Sequence, residues 1–338
     1  MLHSIFFSGV MKLSFRRLVI RSLQITPVII IVGGLGLYAL INHQPEWVPS
    51  ALVQLARQPD LLDSPEAKRC AECHQSIFDA WKESRHSVAW VSKTYIKDSE
   101  DRTKEKCLPC HIPTSVNPGE KPTPRLDRRD DGIYCVPCHV RDKAMHGPYD
   151  LYSPPHPTRA DKDFRVSKFC GSCHQKTFKE WQATGSDKTC QSCHMKRQTG
   201  RLTQKLPLSW LHAKREVADH RFPKGDLSEE NLSVLAAFDG RMLRVRLLND
   251  TIPHAIPTAD NGDPRLYVYV TFLNAGGKEI DTYKEIIAPQ QETALSFQKP
   301  SVYDFPVPAD TAAGQVTVRY KPAWSKTLSD VVKRIIKR

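Results

Sequence analysis

Beyond residue 230 the chain alternates apolar and polar positions with the period of a β-strand. The runs are NLSVLAAF (231–238), RMLRVRLLN (241–249), RLYVYVTFLN (265–274), KEIDTYKEI (278–286), ETALSFQ (292–298) and QVTVRYK (315–321), with turn residues between them. Such alternation puts every second side chain on one face, and several short strands at this spacing predict a small β-sandwich over residues 226–322. The tail WSKTLSDVVKRIIKR reads differently. Leu328, Val331, Val332, Ile335 and Ile336 fall on one helical face, beside Lys326, Lys333, Arg334, Lys337 and Arg338. Residues 323–338 are therefore expected to form a basic amphipathic helix against a membrane surface, a partner or their own domain.

At the other end, Lys12, Arg16, Arg17 and Arg21 precede an uncharged run from Ser22 to Asn42, about the length that spans a bilayer. Basic flanks stay in the cytoplasm, so residues 1–42 read as an uncleaved signal-anchor with all that follows outside. A cleaved signal peptide is the competing reading. Residues 43–65 read as a spacer. Between 66 and 225 there is no long periodic run, only short amphipathic stretches broken by polar, Pro-rich loops such as PTSVNPGEKPTPRLDRRDDG (113–132).

The cysteines give that middle region its chemistry. There are ten, and each falls in a C-x-x-C-H: Cys70 and Cys73 before His74, Cys107 and Cys110 before His111, Cys135 and Cys138 before His139, Cys170 and Cys173 before His174, Cys190 and Cys193 before His194. This is the attachment motif of c-type haem: two thiols add to the porphyrin vinyls and the histidine becomes the proximal iron ligand. A zinc site or a redox dithiol would not need a histidine after every pair. Five covalent haems c so close in sequence must be nearly in contact, so the core of 66–225 is mostly porphyrin. The predicted class is α+β: an α/irregular multihaem domain behind a transmembrane helix, followed by a β-sandwich.

A haem iron has a sixth position to fill. Outside the motifs, His86, His146, His156, His212, His220 and His254 are the candidates, with His43 set apart beside the predicted membrane span. Six imidazoles for five irons predict mostly bis-histidine ligation at low potential. CAECHQSIFDAWKESRH (70–86) and CGSCHQKTFKEWQATGS (170–186) are copies of one unit, but only the first ends in histidine. His86 lies twelve residues beyond His74 on the following helix, too far to serve its own haem, and is expected to serve a neighbour's.

CAECH with the tryptophan and SRH that follow resembles the start of the cytochrome c-554 family. FCGSCHQ, the later EW and CQSCHM, then DHRFP, are similar to larger periplasmic members of that superfamily. LLNDTIPHAIPTAD with DPRLYVYV resembles the histidine-bearing turn of their C-terminal β-domain. The likeness spans roughly residues 66–275 and implies distal ligation by His86, His156, His220 and His254, leaving His146 and His212 to compete for any remaining iron.

The net charge of +12 would by itself suggest nucleic acid or membrane. Two propionates per haem, offset by one positive charge on each ferric centre, bring the holoprotein to about +7, and nucleic acid drops out as a partner. The expected function is electron transfer from a membrane, quinol-linked donor to a periplasmic cytochrome or reductase. A reductase or oxidase of nitrogen or sulfur compounds would need an open iron; the C-x-x-C-K of multihaem nitrite reductases is absent. A membrane quinol dehydrogenase subunit is disfavoured by the late first motif and the β-domain.

Overall fold

The computed structural model describes residues 31–36, 38–39, 57–206, 208–224 and 227–338. Residues 31–36 and 38–39 are helical; the rest of the predicted span Ser22–Asn42 and most of the spacer, His43 included, lie outside the described residues. Among the described residues no helix is long and apolar enough to cross a membrane. The end of the spacer is not free: the 3₁₀ turn Pro59–Leu62 buries Leu61, and Gln58 N donates to Pro155 O at 2.8 Å.

The middle of the chain is built from short helices. They are α1 (Ala67–Ala71), α2 (Gln75–Lys82), α3 (Lys93–Asp98), α4 (Leu108–His111), α5 (Cys135–His139), α6 (Lys168–Gly171), α7 (Gln175–Gln182), α8 (Cys190–His194) and α9 (Leu208–Leu211). Small strands β1 (Val140–Arg141), β2 (Ala144–Gly147), β3 (Thr158–Ala160), β4 (Arg197–Gly200) and β5 (Arg215–Ala218) lie between and after them. Apolar clusters here are small, one around Ala67, Trp81, Tyr134 and Val136 and another around Trp90, Tyr95 and Ile112. The two sequence copies are structural copies: α1–α2 and α6–α7 each end on a tryptophan packed against a phenylalanine, Phe78–Trp81 at 5.5 Å and Phe178–Trp181 at 5.6 Å. The Pro-rich stretch 113–132 has almost no regular structure and is organised by buried Arg125, which donates to the carbonyls of Pro113, Asp127, Arg128 and Gly132.

The C-terminal part carries the main apolar core. β6 (Ser233–Asp239), β7 (Met242–Leu248) and β10 (Ser301–Pro306) form one sheet in the order β10-β7-β6; β8 (Arg265–Leu273), β9 (Glu279–Ile287), β11 (Ala313–Lys321) and β12 (Ser329–Lys337) form another in the order β12-β11-β8-β9. Leu243, Val245 and Leu247 from β7 meet Leu266, Val268, Val270 and Phe272 from β8 in a shared, fully buried core. The α+β class with β-sheets at the C-terminus is therefore as expected.

Two local expectations fail. ETALSFQ makes only isolated bridges, Asn249 with Phe297 and Ile256 with Leu295, and the strand is SVYDFP instead. Positive φ at Glu292 and Gln298 breaks the first run, while β10 is an edge strand and tolerates Pro306. The tail is a strand, not an amphipathic helix, so the sheet runs on past residue 322. Val331, Val332, Ile335 and Ile336 are β-branched and favour extended backbone. A bulge opposite Val318 and Arg319 leaves Val331 without a partner between Asp330 and Val332, which puts both valines into the core.

Candidate haem sites

In C-x-x-C-H the two cysteines and the histidine stand at i, i+3 and i+4, one face of a single helical turn. The structure gives each motif that turn. α5 and α8 are the motifs themselves, and α4 is the last four residues of CLPCH. In CAECH and CGSCH the histidine amide donates back to the first cysteine carbonyl, His74 to Cys70 at 2.9 Å and His174 to Cys170 at 3.0 Å. Thr189 caps α8 by accepting from Ser192 N.

The histidine rings are oriented from behind. Nδ1 of His111 lies 2.6 Å from Ala89 O, that of His139 2.7 Å from His146 O, and that of His194 2.9 Å from Pro223 O; His74 makes the same contact with Leu202 O. With Nδ1 donating, Nε2 keeps its lone pair for a metal. His174 is the exception, its Nδ1 facing the Asp260 carboxylate at 3.9 Å.

Three of these rings look across a gap at a second imidazole. His74 and His156 have ring centroids 6.3 Å apart, His174 and His86 6.3 Å, and His139 and His220 6.2 Å. An imidazole nitrogen sits about 2 Å from its metal and about 1.1 Å from its ring centre, so two axial imidazoles stand roughly 6.2 Å apart across one ion. The spacing fits. So does the charge state: burial pushes His86 down to about 3 and His139 and His156 down to about 4, so these rings are neutral, as iron ligation requires. The second sequence copy lacks the final histidine, and His86 of the first copy faces its motif histidine, His174.

The remaining histidines are placed less symmetrically. His254 turns Nδ1 to Ala255 O at 2.9 Å and lies close enough to His194 for its charge to be felt. His146 offers its carbonyl to His139 and holds Nδ1 3.1 Å from Asp161 Oδ2, leaving Nε2 buried without a partner. His212 is near His74, whose charge helps burial to lower it. His111 has no such imidazole pair among the ring contacts of the described residues; Tyr95 stacks on it at 3.9 Å and 16°, with its hydroxyl buried and unpartnered.

Thiols from different motifs meet in pairs. Cys70 lies beside Cys135, Cys110 beside Cys173 and Cys170 beside Cys190. Among the described residues no group of three or more His, Cys, Asp or Glu side chains is arranged to hold a metal ion alone. The neighbouring cysteines stand in pairs, not in the tetrahedra that zinc would need.

Residues 69–140 match the family Cytochrome c554 and c-prime. The chain is a multihaem c-type cytochrome. It carries covalently bound haem c and resembles cytochrome c554. Cytochrome c-554 of Nitrosomonas europaea is 25% identical over 134 residues, covering 32% of this chain and 55% of that protein. The cytochrome thus spans about half the length of the curated relative it matches. The penta-heme cytochrome c552 from Thermochromatium tepidum superposes with a TM-score of 0.59 at 17% identity, over 81% of this chain and all of that one. At that identity the match speaks for the fold.

The contacts of the cytochrome's β region with α7 were not legible beforehand. Lys176 N donates to Asp260 Oδ1 at 2.6 Å, Lys176 Nζ to Pro289 O at 2.7 Å, and Thr258 Oγ1 to Glu180 Oε2 at 2.7 Å. The stretch IPTAD had been singled out for His254, yet Thr258 and Asp260 are the residues that reach the helix following CGSCH. Nothing in the sequence marked Tyr95 as a neighbour of His111, or Gly132 as a neighbour of His86.

Proposed function

We propose that this cytochrome is an electron carrier with five haems, passing electrons from a membrane, quinol-linked donor to a periplasmic cytochrome or reductase. Haem iron supplies one-electron redox chemistry; the protein supplies spacing and potential. The observation that carries the reading is the set of three facing imidazole pairs, because an iron held on both sides by histidine has no position left for a substrate. In this reading Cys70, Cys73, Cys107, Cys110, Cys135, Cys138, Cys170, Cys173, Cys190 and Cys193 hold the haems, and His74, His111, His139, His174 and His194 are proximal. His156, His86 and His220 are distal to His74, His174 and His139, and His254 is distal to His194. The paired thiols support close packing of the CAECH haem with the CVPCH haem, and of the CGSCH haem with those of CLPCH and CQSCH.

The compartment follows from chemistry. Haem c is attached outside the bacterial cytoplasm, and the basic residues before Ser22 favour an anchor with residues 43–338 in the periplasm. A second reading has one observation in its favour. His111 faces no second imidazole among the described ring contacts, so a reductase or oxidase of nitrogen or sulfur compounds would use the CLPCH haem.

Electron paramagnetic resonance of the oxidised holoprotein separates the two. The carrier reading expects low-spin signals that do not change when nitrite or hydroxylamine is added. A high-spin signal that disappears on adding either compound would overturn it and establish the reductase.

A further inference from the structure

Four of the five motif histidines turn Nδ1 to a backbone carbonyl, and one faces a carboxylate from elsewhere in the chain. We propose that Asp260, carried by the β region, is a positioning residue for His174 and holds the reduction potential of the CGSCH haem below the value its two imidazoles alone would give. The inference rests on the reading of His174 and His86 as that haem's axial pair.

Asp260 is fixed before it meets the histidine. One oxygen, Oδ1, accepts from Lys176 N at 2.6 Å in the first turn of α7. The other, Oδ2, is buried, has no hydrogen-bond partner and lies 3.9 Å from His174 Nδ1. A buried carboxylate oxygen without a partner is costly unless a positive group compensates it. The imidazole of His174 faces that oxygen at ion-pair distance, and its N–H becomes more strongly polarised when the ring binds a cation. The pair then forms the carboxylate–histidine–metal arrangement that raises ligand basicity and favours the more highly charged metal state. A backbone carbonyl, the partner at the other four sites, carries no charge and does this less.

The geometry belongs to the interface. Thr258 Oγ1 meets Glu180 Oε2 at 2.7 Å and Thr177 Oγ1 at 2.9 Å, and Ala255 N donates to Glu180 Oε2 at 3.3 Å. The 255–260 turn is thus bound to α7 at several points, and Asp260 itself is held by its own bond from Lys176 N, independent of Thr258. The β region gains a redox role that does not depend on His254: it delivers one negative charge to one haem.

The test is a spectroscopic redox titration of the full-length holoprotein. Asp260→Asn removes the charge but keeps an oxygen for Lys176 N. One haem potential should rise, the same one that moves in His86→Met, with the others unchanged and the low-spin signal retained. Asp260→Glu should restore the original potential at least partly. Thr258→Val, which loosens the docking without touching the charge, should leave that potential in place. If His86→Met moves a potential and Asp260→Asn does not, the inference falls while the axial assignment stands. If Thr258→Val produces the same shift as Asp260→Asn, the effect is one of docking and the inference also falls. If neither His86→Met nor Asp260→Asn moves any potential, the axial assignment itself is wrong and the inference falls with it.

Discussion

Replacing His86 with methionine raises the reduction potential of the haem on CGSCH and leaves the haem on CAECH where it was. The reason lies in the fold. His86 follows the CAECH helix pair in sequence, but its ring faces His174 at 6.3 Å, while His74 faces His156. Phe222 stands edge-on to His86 at 4.4 Å, and burial keeps the ring neutral. A thioether in place of an imidazole favours ferrous iron, so the shift is upward, on the order of a hundred millivolts within the ~0.8 V that axial ligands command. Potentiometry with optical detection, repeated on a variant lacking the CAECH haem, assigns the shifted centre. A shift in the CAECH haem, or none at all, would break the pairing.

The second large effect comes from a glycine packed against the backbone of His86. Gly132→Ala lowers the thermal midpoint of the holoprotein by about 5 °C or more and weakens the low-spin signal of the CGSCH haem. Gly132 has φ near +60°, and a β-carbon there would stand 2.5 Å from His86 O, 3.0 Å from Ser87 O and 3.1 Å from Ala89 N. All three are backbone atoms, so no side chain can swing away. With ψ near −130° the residue lies in a region that side chains seldom enter, which costs an alanine about 1–3 kcal/mol, and the clash adds to it. The neighbouring amide, Ile133 N, donates to His86 O at 3.0 Å, so the loop and the segment bearing His86 must move together. Calorimetry and electron paramagnetic resonance of the variant check both halves. A variant as stable as the parent, with its low-spin spectrum intact, would show that the close approach at Gly132 does not hold His86.

The covalent part of the haem sites was legible because it is local. C-x-x-C-H needs only one helical turn, and one turn is what the structure supplies at Cys135–His139 and Cys190–His194. The histidine shortlist was legible because few histidines lie outside the motifs. Their pairing was not, because His86–His174 and His139–His220 are closed by tertiary return of the chain. The same limit hid Asp260, whose partner is a helix far earlier in the sequence. The tail was misread because SDVVKRII satisfies a helical face and a strand equally well, and the free edge of β11 decides between them. SVYDFP was overlooked in favour of ETALSFQ because its proline counts against a strand everywhere except at an edge.

The account rests on every C-x-x-C-H carrying its own haem. The most direct test is a pyridine haemochrome assay on fully matured protein, with chain concentration fixed by amino-acid analysis. Five haems per chain is the predicted result. Four or fewer would mean that at least one motif does other work, and would contradict the account.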